Sequence, residues 1–110
     1  MPRDTSDLLR GTLDLLVLKA LSVQPQHGFG LTKWIEQHTR NELEIVDSAL
    51  YKALHRLEDG GAITAEWGLS DNNRRARYYS LTARGRQMLR TETAIWKRYV
   101  AAVSGALGTA

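Results

Sequence analysis

The sequence predicts a mainly α-helical domain that carries one small β-hairpin. Apolar residues recur at three- and four-residue spacing in several segments, which is typical of amphipathic helices. Two short runs with the alternating pattern of strands flank the polar turn Ser70–Asn73. In chain order, we predict helices over residues 5–22, 30–39 and 47–59 and strands over 62–69 and 75–81. Thr82 is then predicted to cap a last helix that runs toward Gly105, before a frayed end over 105–110.

The composition limits what kind of protein this is. A chain of 110 residues is long enough for one domain with a modest core. It contains no cysteine, which excludes disulfides, thiolate metal ligands and cysteine nucleophiles. The N-terminus lacks the apolar core of a signal peptide, and the longest apolar run, residues 13–21, is shorter than the ~20 residues that a membrane span needs. We therefore expect a cytoplasmic protein without membrane association.

Positive charge is concentrated in one part of the chain. The formal net charge is only +3, but residues 74–98 hold eight Lys and Arg residues against one acid, Glu92. Residues 1–73 carry an excess of acids. Such asymmetry indicates a surface that faces a polyanion. For residues 84–98 taken alone, a solvated helix face is an equal alternative.

The first predicted helix is apolar on most of its sides. Thr5, Ser6 and Asp7 offer N-terminal caps, and the leucines that follow spread around the helix. A helix of this kind needs cover on most sides. Because a monomer of this length has little material for such cover, the pattern suggests a dimer.

The third predicted helix combines a narrow apolar stripe with a polar face. Asp47 or Ser48 is predicted to cap its start, and Gly60-Gly61 to end it. Three helices followed by a hairpin form a winged helix-turn-helix domain, in which the third helix enters the major groove and the hairpin is the wing. We therefore predict a winged helix-turn-helix DNA-binding domain over residues 1–81 and a C-terminal dimerisation helix over 82–110, together forming one compact unit.

Four segments of the chain form a specific set of motifs: LLRGTLDLLVLKAL (8–21), HGFGLTKWIE (27–36), SALYKALHRLEDGGAI (48–63) and RRARYYSLTARGRQML (74–89). With these segments, the sequence resembles the PadR family of bacterial transcriptional regulators over nearly its whole length. The resemblance implies a homodimer that binds operator DNA, usually as a repressor, with a single C-terminal helix for dimerisation. Some members of this family respond to aromatic or drug-like ligands at the dimer interface.

The start of the third helix departs from the family pattern. The family usually has glycine, serine or threonine, leucine, tyrosine and proline there, whereas this chain has Ser48-Ala49-Leu50-Tyr51-Lys52. Lys52 gives up a proline that would pre-set φ and adds a cation. The departure leaves the predicted fold unchanged and bears on the DNA sequence that this helix recognises.

Contact with DNA is predicted from three parts of the chain. The N-terminal end of the third helix is the part that usually enters the groove, and plain solvation is the alternative for its polar face. The hairpin arginines suit phosphates, while Asn72 and Asn73 are turn residues that tolerate positive φ. Arg56 is expected to pair with an acid such as Asp59. The predicted DNA contacts are Phe29, Lys33, Ser48, Ala49, Tyr51, Lys52, His55, Asn73, Arg74, Arg75 and Arg77.

A second candidate site lies on the last helix. In a dimer, Trp96 is expected either in the interface core or as an aromatic wall for a small planar hydrophobic effector. The predicted interface or ligand-lining residues are Leu8, Leu15, Trp96, Tyr99, Val100 and Val103.

Catalysis and metal binding are not expected. The three histidines lie on different elements, and the chain contains no catalytic motif or carboxylate cluster. We therefore expect no enzyme, cofactor or metal site. The predicted function is a homodimeric repressor on a palindromic operator, with release by a small aromatic ligand as an additional hypothesis. The alternative is a winged-helix protein-interaction module that does not bind DNA.

Overall fold

The computed structural model describes residues 11–108 and the backbone of residues 3–4. The helices are α1 (Thr12–Val23), α2 (Gly28–His38), α3 (Asp47–Asp59) and α4 (Ala83–Leu107), and the strands are β1 (Arg3–Asp4), β2 (Leu43–Glu44), β3 (Ile63–Leu69) and β4 (Arg75–Leu81). β1 pairs with β2 in parallel, and β3 pairs with β4 as an antiparallel hairpin. This is the predicted mainly α-helical winged arrangement with a long C-terminal helix.

Several helix ends differ from the prediction. Helix α1 begins at Thr12 after Gly11, whose φ of 86° favours glycine, and the proposed caps at residues 5–7 lie outside the described residues, as does Leu8. Neither Asp47 nor Ser48 is the cap of α3, because Val46 occupies that position without a side-chain cap bond.

The C-terminal end was also predicted wrongly. Residues 105–107 are helical rather than frayed, since α4 continues to Leu107. Gly108 then ends the helix in the left-handed region at φ 77°, where its N–H donates to the carbonyl of Gly105. The two glycines after α3 end that helix as expected, with Gly60 as the cap and Gly61 at φ 78°.

The core lies around α1. The largest side chains that are almost fully buried come from all three early helices and from the base of β3, and they are Val17, Leu18, Leu31, Ile35, Leu50, Leu54 and Ile63. Leu13, Ala20 and Leu21 of α1 are buried within the domain as well. Most of the cover that α1 needs is therefore intramolecular, and its apolar character does not by itself require a dimer.

The hairpin is attached to the body at its base. Backbone N–H groups of Gln26 and Tyr79 donate to each other's carbonyls over 3.1 and 2.8 Å, so the segment before α2 pairs with β4 like a short third strand. Tyr79 is only 4% exposed. The wing therefore has a fixed angle to α2 and α3, which sequence patterning did not predict.

Helix α4 departs from the compact body. Thr82 caps it as predicted, accepting from the N–H of Gly85 over 3.0 Å. Met88 and Leu89 pack against the core, but Gly85 is the one fully buried residue that α4 contributes within the described chain. The radius of gyration is 14.8 Å, compared with about 13 Å for a compact chain of this length. Within residues 11–108, no helix is long and apolar enough to cross a membrane.

Two glycines of α4 provide a test of how closely the start of this helix packs against the rest of the domain. An added Cβ at Gly85 would collide with the carbonyl oxygen of Ala62, whereas one at Gly105 meets nothing within 4 Å. We expect Gly85→Ala to lower the free energy of unfolding by about 3 kcal/mol, because backbone atoms cannot move aside cheaply. Gly105→Ala should raise it by about 0.5–1 kcal/mol. Urea denaturation measures both, and equal effects would contradict the close packing at Gly85.

Candidate nucleic-acid interface

One face of the hairpin packs on the core at its base and lines an open cleft further out. Cross-strand pairing places Trp67 opposite Arg77 and Leu69 opposite Arg75. Because side chains alternate along a strand, these four residues share a face with Tyr79, which is buried at the hairpin base. We call this the inner face of the wing. Its base covers the core, and its outer half projects beyond the body with arginine and tryptophan side chains.

The tip of the wing is a compact turn, as predicted. The N–H of Asn73 donates to the carbonyl of Ser70 over 2.8 Å, and the N–H of Ser70 donates to the carbonyl of Arg74 over 2.8 Å. Asn73 has a φ of 60°, which asparagine tolerates better than most residues. The Tyr78 hydroxyl donates to the carbonyl of Leu69 over 2.9 Å. These bonds hold the turn in shape while the side chain of Arg74 stays exposed.

The three wing arginines occupy different environments. The guanidinium of Arg75 lies 4.5 Å from the centre of the Trp67 ring. Arg77 forms a 3.0 Å ion pair with Glu58 of α3 and also lies 5.9 Å from the Tyr79 ring. Arg74 has no acidic partner among the described residues. Sequence reasoning treated the three as equivalent, but Arg77 links the wing to α3.

The pKa of Tyr79 depends on its burial and on the neighbouring Arg77. Burial raises the pKa of the Tyr79 phenol above its ordinary value, and the nearby Arg77 cation opposes that shift. The phenol therefore stays protonated and neutral at the hairpin base at physiological pH. It serves there as packing.

The polar face of α3 lies across the cleft from the wing. Ser48, Tyr51, Lys52 and His55 are exposed, whereas Ala49 is half-buried and packs against the core. His55 Nε2 lies 3.4 Å from Asp59 Oδ2, one helical turn further on. Of the five predicted contacts on α3, Ala49 is thus the least accessible.

Arg56 pairs with an acid, as expected, but the acid is not Asp59. Arg56 instead donates from Nη2 and Nε to the two carboxylate oxygens of Asp14 on α1, over 2.6 and 3.3 Å. The hydrogen bonds to Asp14 raise the pKa of Arg56 above its ordinary value. A partner 42 residues away in the chain is visible only after folding, because helical spacing identifies local acids alone.

The start of α2 forms the third side of the cleft. His27 caps the helix, and its Nδ1 accepts from the N–H of Gly30 over 3.0 Å. Phe29 is 69% exposed, and Lys33 Nζ lies 5.4 Å from its ring. The cap orients His27 toward the wing, where its ring meets that of Tyr78 edge-on at 5.2 Å.

These three parts enclose a cleft of about 620 Å³ that we call the wing cleft. Four predicted contacts line it, namely Phe29, Tyr51, Arg75 and Arg77, together with Trp67, which sequence reasoning missed. A second hollow of about 500 Å³ runs along α3 past Lys52 and His55. The remaining predicted contacts, Lys33, Ser48, Ala49, Asn73 and Arg74, do not line either hollow. The strand register around Trp67 was the signal that could have identified it.

A separate, mostly apolar cleft of about 320 Å³ lies between α1 and α4. We call it the α1–α4 cleft. Three predicted residues line it, Leu15, Trp96 and Tyr99, and Ile95 joins them without having been predicted. The Trp96 and Tyr99 rings lie 5.9 Å apart. Val100 and Val103 are exposed on α4 without lining this cleft.

Comparison with known proteins identifies the family. The sequence model of the PadR-like family of transcriptional regulators matches residues 17–91. The chain belongs to the PadR-like family. Its matched segment runs from α1 through the wing to the first turns of α4, and so includes the whole wing cleft. The family consists of transcriptional regulators, not of enzymes.

The chain is also similar to a curated protein and to solved structures, one of which is a PadR family regulator. An uncharacterised protein from Lysinibacillus sphaericus is 33% identical over 85 residues, which cover 76% of this chain and 77% of that protein. A transcriptional regulator from Clostridium thermocellum is 27% identical with a TM-score of 0.81, covering 92% of this chain and 95% of that one. A PadR family regulator from Eggerthella lenta is 33% identical with a TM-score of 0.76, covering 92% and 86%.

The ion pair between Arg56 and Asp14 can be tested against its neighbour on α3. We expect Arg56→Ala to lower the free energy of unfolding by about 1 kcal/mol, because it removes a two-point ion pair that is partly exposed to solvent. His55→Ala removes a single contact between exposed groups and should change it by less than about 0.5 kcal/mol. Thermal and urea denaturation measure both changes in stability. Equal losses would mean that the ion pair between Arg56 and Asp14 stabilises the fold no more than the contact between His55 and Asp59 does.

Proposed function

We propose that this PadR-like protein regulates transcription by binding duplex DNA with α3 in the major groove and the wing beside it. The observation that carries the proposal is the wing cleft, which has α3 on one side and a cationic hairpin face on the other. A DNA strand separates the major groove from the adjacent minor groove. A backbone that follows this cleft would place α3 and the wing in neighbouring grooves.

The charges in and around the wing cleft support this reading. Lys33, Lys52, Arg74 and Arg75 have no acidic partner among the described residues, so each is free to meet a phosphate. Neutralising phosphates releases counterions, which makes affinity fall steeply with salt. Exposed Tyr51 and Lys52 occupy the N-terminal half of α3, from which base edges are usually contacted.

The first test is binding itself. Fluorescence anisotropy compares a labelled duplex from upstream of the protein's own gene with a shuffled duplex, at two salt concentrations. Tighter binding to the upstream duplex that weakens with salt is the expected result. Absence of salt-dependent binding to either duplex would overturn the proposal and favour a protein-interaction module.

Single charge removals test the wing. Arg74→Ala and Arg75→Ala should each weaken binding to every sequence and reduce the salt slope by about one phosphate. Arg77→Ala should reduce the slope less, because Glu58 already neutralises that cation. Lys19→Ala, which removes an exposed cation from α1, is the control. Unchanged slopes for Arg74→Ala and Arg75→Ala would show that the wing does not contact DNA.

We further propose that the protein works as a homodimer through α4. Six large apolar side chains of this helix are between 37% and 74% exposed: Ile95, Trp96, Tyr99, Val100, Val103 and Leu107. Their three- and four-residue spacing gathers them along one side, as in a helix that packs on another protein surface. A two-fold dimer would present two α3 helices to successive major grooves, about 34 Å apart, and would suit a palindromic operator.

The α4 stripe can be tested with one charge at two positions. Val100→Glu places a carboxylate in the stripe and should yield a monomer, because an unpaired charge is costly in an apolar interface. Ala101→Glu, one residue on and about 100° around the helix, should leave the dimer intact. Trp96→Ala should also weaken the dimer. Sedimentation velocity measures the mass, and a dimer that survives both Val100→Glu and Trp96→Ala would refute this interface.

We also propose that the protein is a repressor that leaves its DNA site when it binds a small ligand. The α1–α4 cleft has an aromatic wall of Trp96 and Tyr99 beside Leu15, which suits a planar hydrophobic effector. Such a ligand would release DNA only by favouring a dimer geometry in which the two α3 helices no longer match the grooves.

Tryptophan fluorescence tests the ligand site. In a Trp34→Phe/Trp67→Phe variant, Trp96 is the remaining tryptophan of the chain. Planar hydrophobic compounds should quench its emission, and the quenching should be lost on further substitution of Leu15 by Glu. A broad panel of compounds without any quenching would remove the effector from the proposal.

A further inference from the structure

Trp67 is an exposed aromatic residue in a place where the fold does not need one. It lies in the outer half of β3 and is 60% exposed, so it adds little to the core. Its ring lines the wing cleft and contacts Arg75. We propose that Trp67 is a positioning residue, which holds the guanidinium of Arg75 ready for a DNA phosphate. This inference rests on the proposed DNA binding and adds to it.

The strand register explains why these two side chains meet. Trp67 pairs directly with Arg77, and Arg75 lies two residues away on the same strand and face. Diagonal neighbours at this spacing are within reach of aromatic and long side chains. The result is the 4.5 Å distance between the Arg75 guanidinium carbon and the ring centre. The contact therefore follows from the hairpin backbone and does not require DNA.

The ion pair of Arg77 makes the stack more important for Arg75. Glu58 is the acid that reaches the inner face of the wing from α3, and Arg77 already binds it. Arg75 has no carboxylate partner among the described residues. The flat ring of Trp67 is then the main group that limits where its guanidinium points.

Stacking suits an arginine that must remain available. A guanidinium lying on an aromatic ring uses its flat face, and its N–H donors point outward in the plane. Those donors are the groups that bind phosphate oxygens. An ion pair such as that of Arg77 uses the donors themselves. Trp67 thus orients Arg75 without consuming its hydrogen-bonding capacity, and most of the ordering cost is met before DNA arrives.

The salt slope separates a positioning role from direct phosphate binding. Trp67→Ala and Trp67→Leu should weaken binding to the upstream duplex about two- to fivefold, the amount that an exposed cation–π contact represents. Both should leave the salt slope unchanged, since Arg75 keeps its charge. Trp67→Phe keeps an aromatic ring at this position and should retain most of the parent protein's affinity. Arg75→Ala should lower affinity and also reduce the slope by about one phosphate.

A double variant shows whether Trp67 acts through Arg75. Trp67→Ala combined with Arg75→Ala should bind no more weakly than Arg75→Ala alone, because the ring then has nothing to orient. Thr64→Ala, an exposed change on the outer face of the same strand, is the control and should bind like the parent protein. Circular dichroism compares the fold of each variant.

The stack can also be measured without DNA. In the parent protein, the Hε resonance of Arg75 should be shifted upfield by the ring current, and Trp67→Leu should abolish that shift. An unshifted resonance would overturn the stack. Additive losses in the double variant, a reduced slope in Trp67→Ala, or unchanged affinity in Trp67→Ala would each overturn the positioning role. If the parent protein itself fails to bind either duplex, the proposed function fails first, and this inference fails with it.

Discussion

The two backbone hydrogen bonds between Gln26 and Tyr79 are the contact on which the candidate site depends. They tie the base of the wing to the segment that leads into α2, so two of the three sides of the wing cleft share one attachment. The side chain of Tyr79, which is buried among core residues, strengthens the same attachment. Without it, a two-stranded hairpin would have little to fix its angle, because an isolated hairpin is marginally stable in water.

Helix α3 is held in place by charges on both sides of its C-terminal half. Arg56 pairs with Asp14 of α1, and Glu58 pairs with Arg77 of the wing. The two pairs have opposite polarity, so α3 contributes a cation to one and an anion to the other. Together they orient the helix about its axis. The same pairs commit these residues to the fold and leave Tyr51, Lys52 and His55 as the exposed polar face.

The two candidate binding surfaces differ in kind. The wing cleft combines cations with exposed aromatic rings, a combination that suits a charged polymer. The exposed side of α4 carries large apolar groups in a stripe and has the α1–α4 cleft at one end. Exposed apolar groups gathered on one side indicate a protein contact. The inference of a dimer therefore depends on α4 and not on α1, which the chain largely covers by itself.

The sequence by itself determined the order of the four helices and the two hairpin strands, the turn at Asn73, the end of α3 and the family, but not the short parallel pair of β1 and β2. Each depends on local chemistry: hydrophobic period, backbone preference at glycine or asparagine, and short motifs. It also located the cations of the wing, because charged residues are visible in the sequence. Tertiary structure alone decided which of these cations are free. Arg56, Arg75 and Arg77 look alike in sequence, yet one binds Asp14, one lies on Trp67 and one binds Glu58. Those differences arise from strand register and from helix contacts between residues far apart in the chain, and neither can be deduced from spacing along one element.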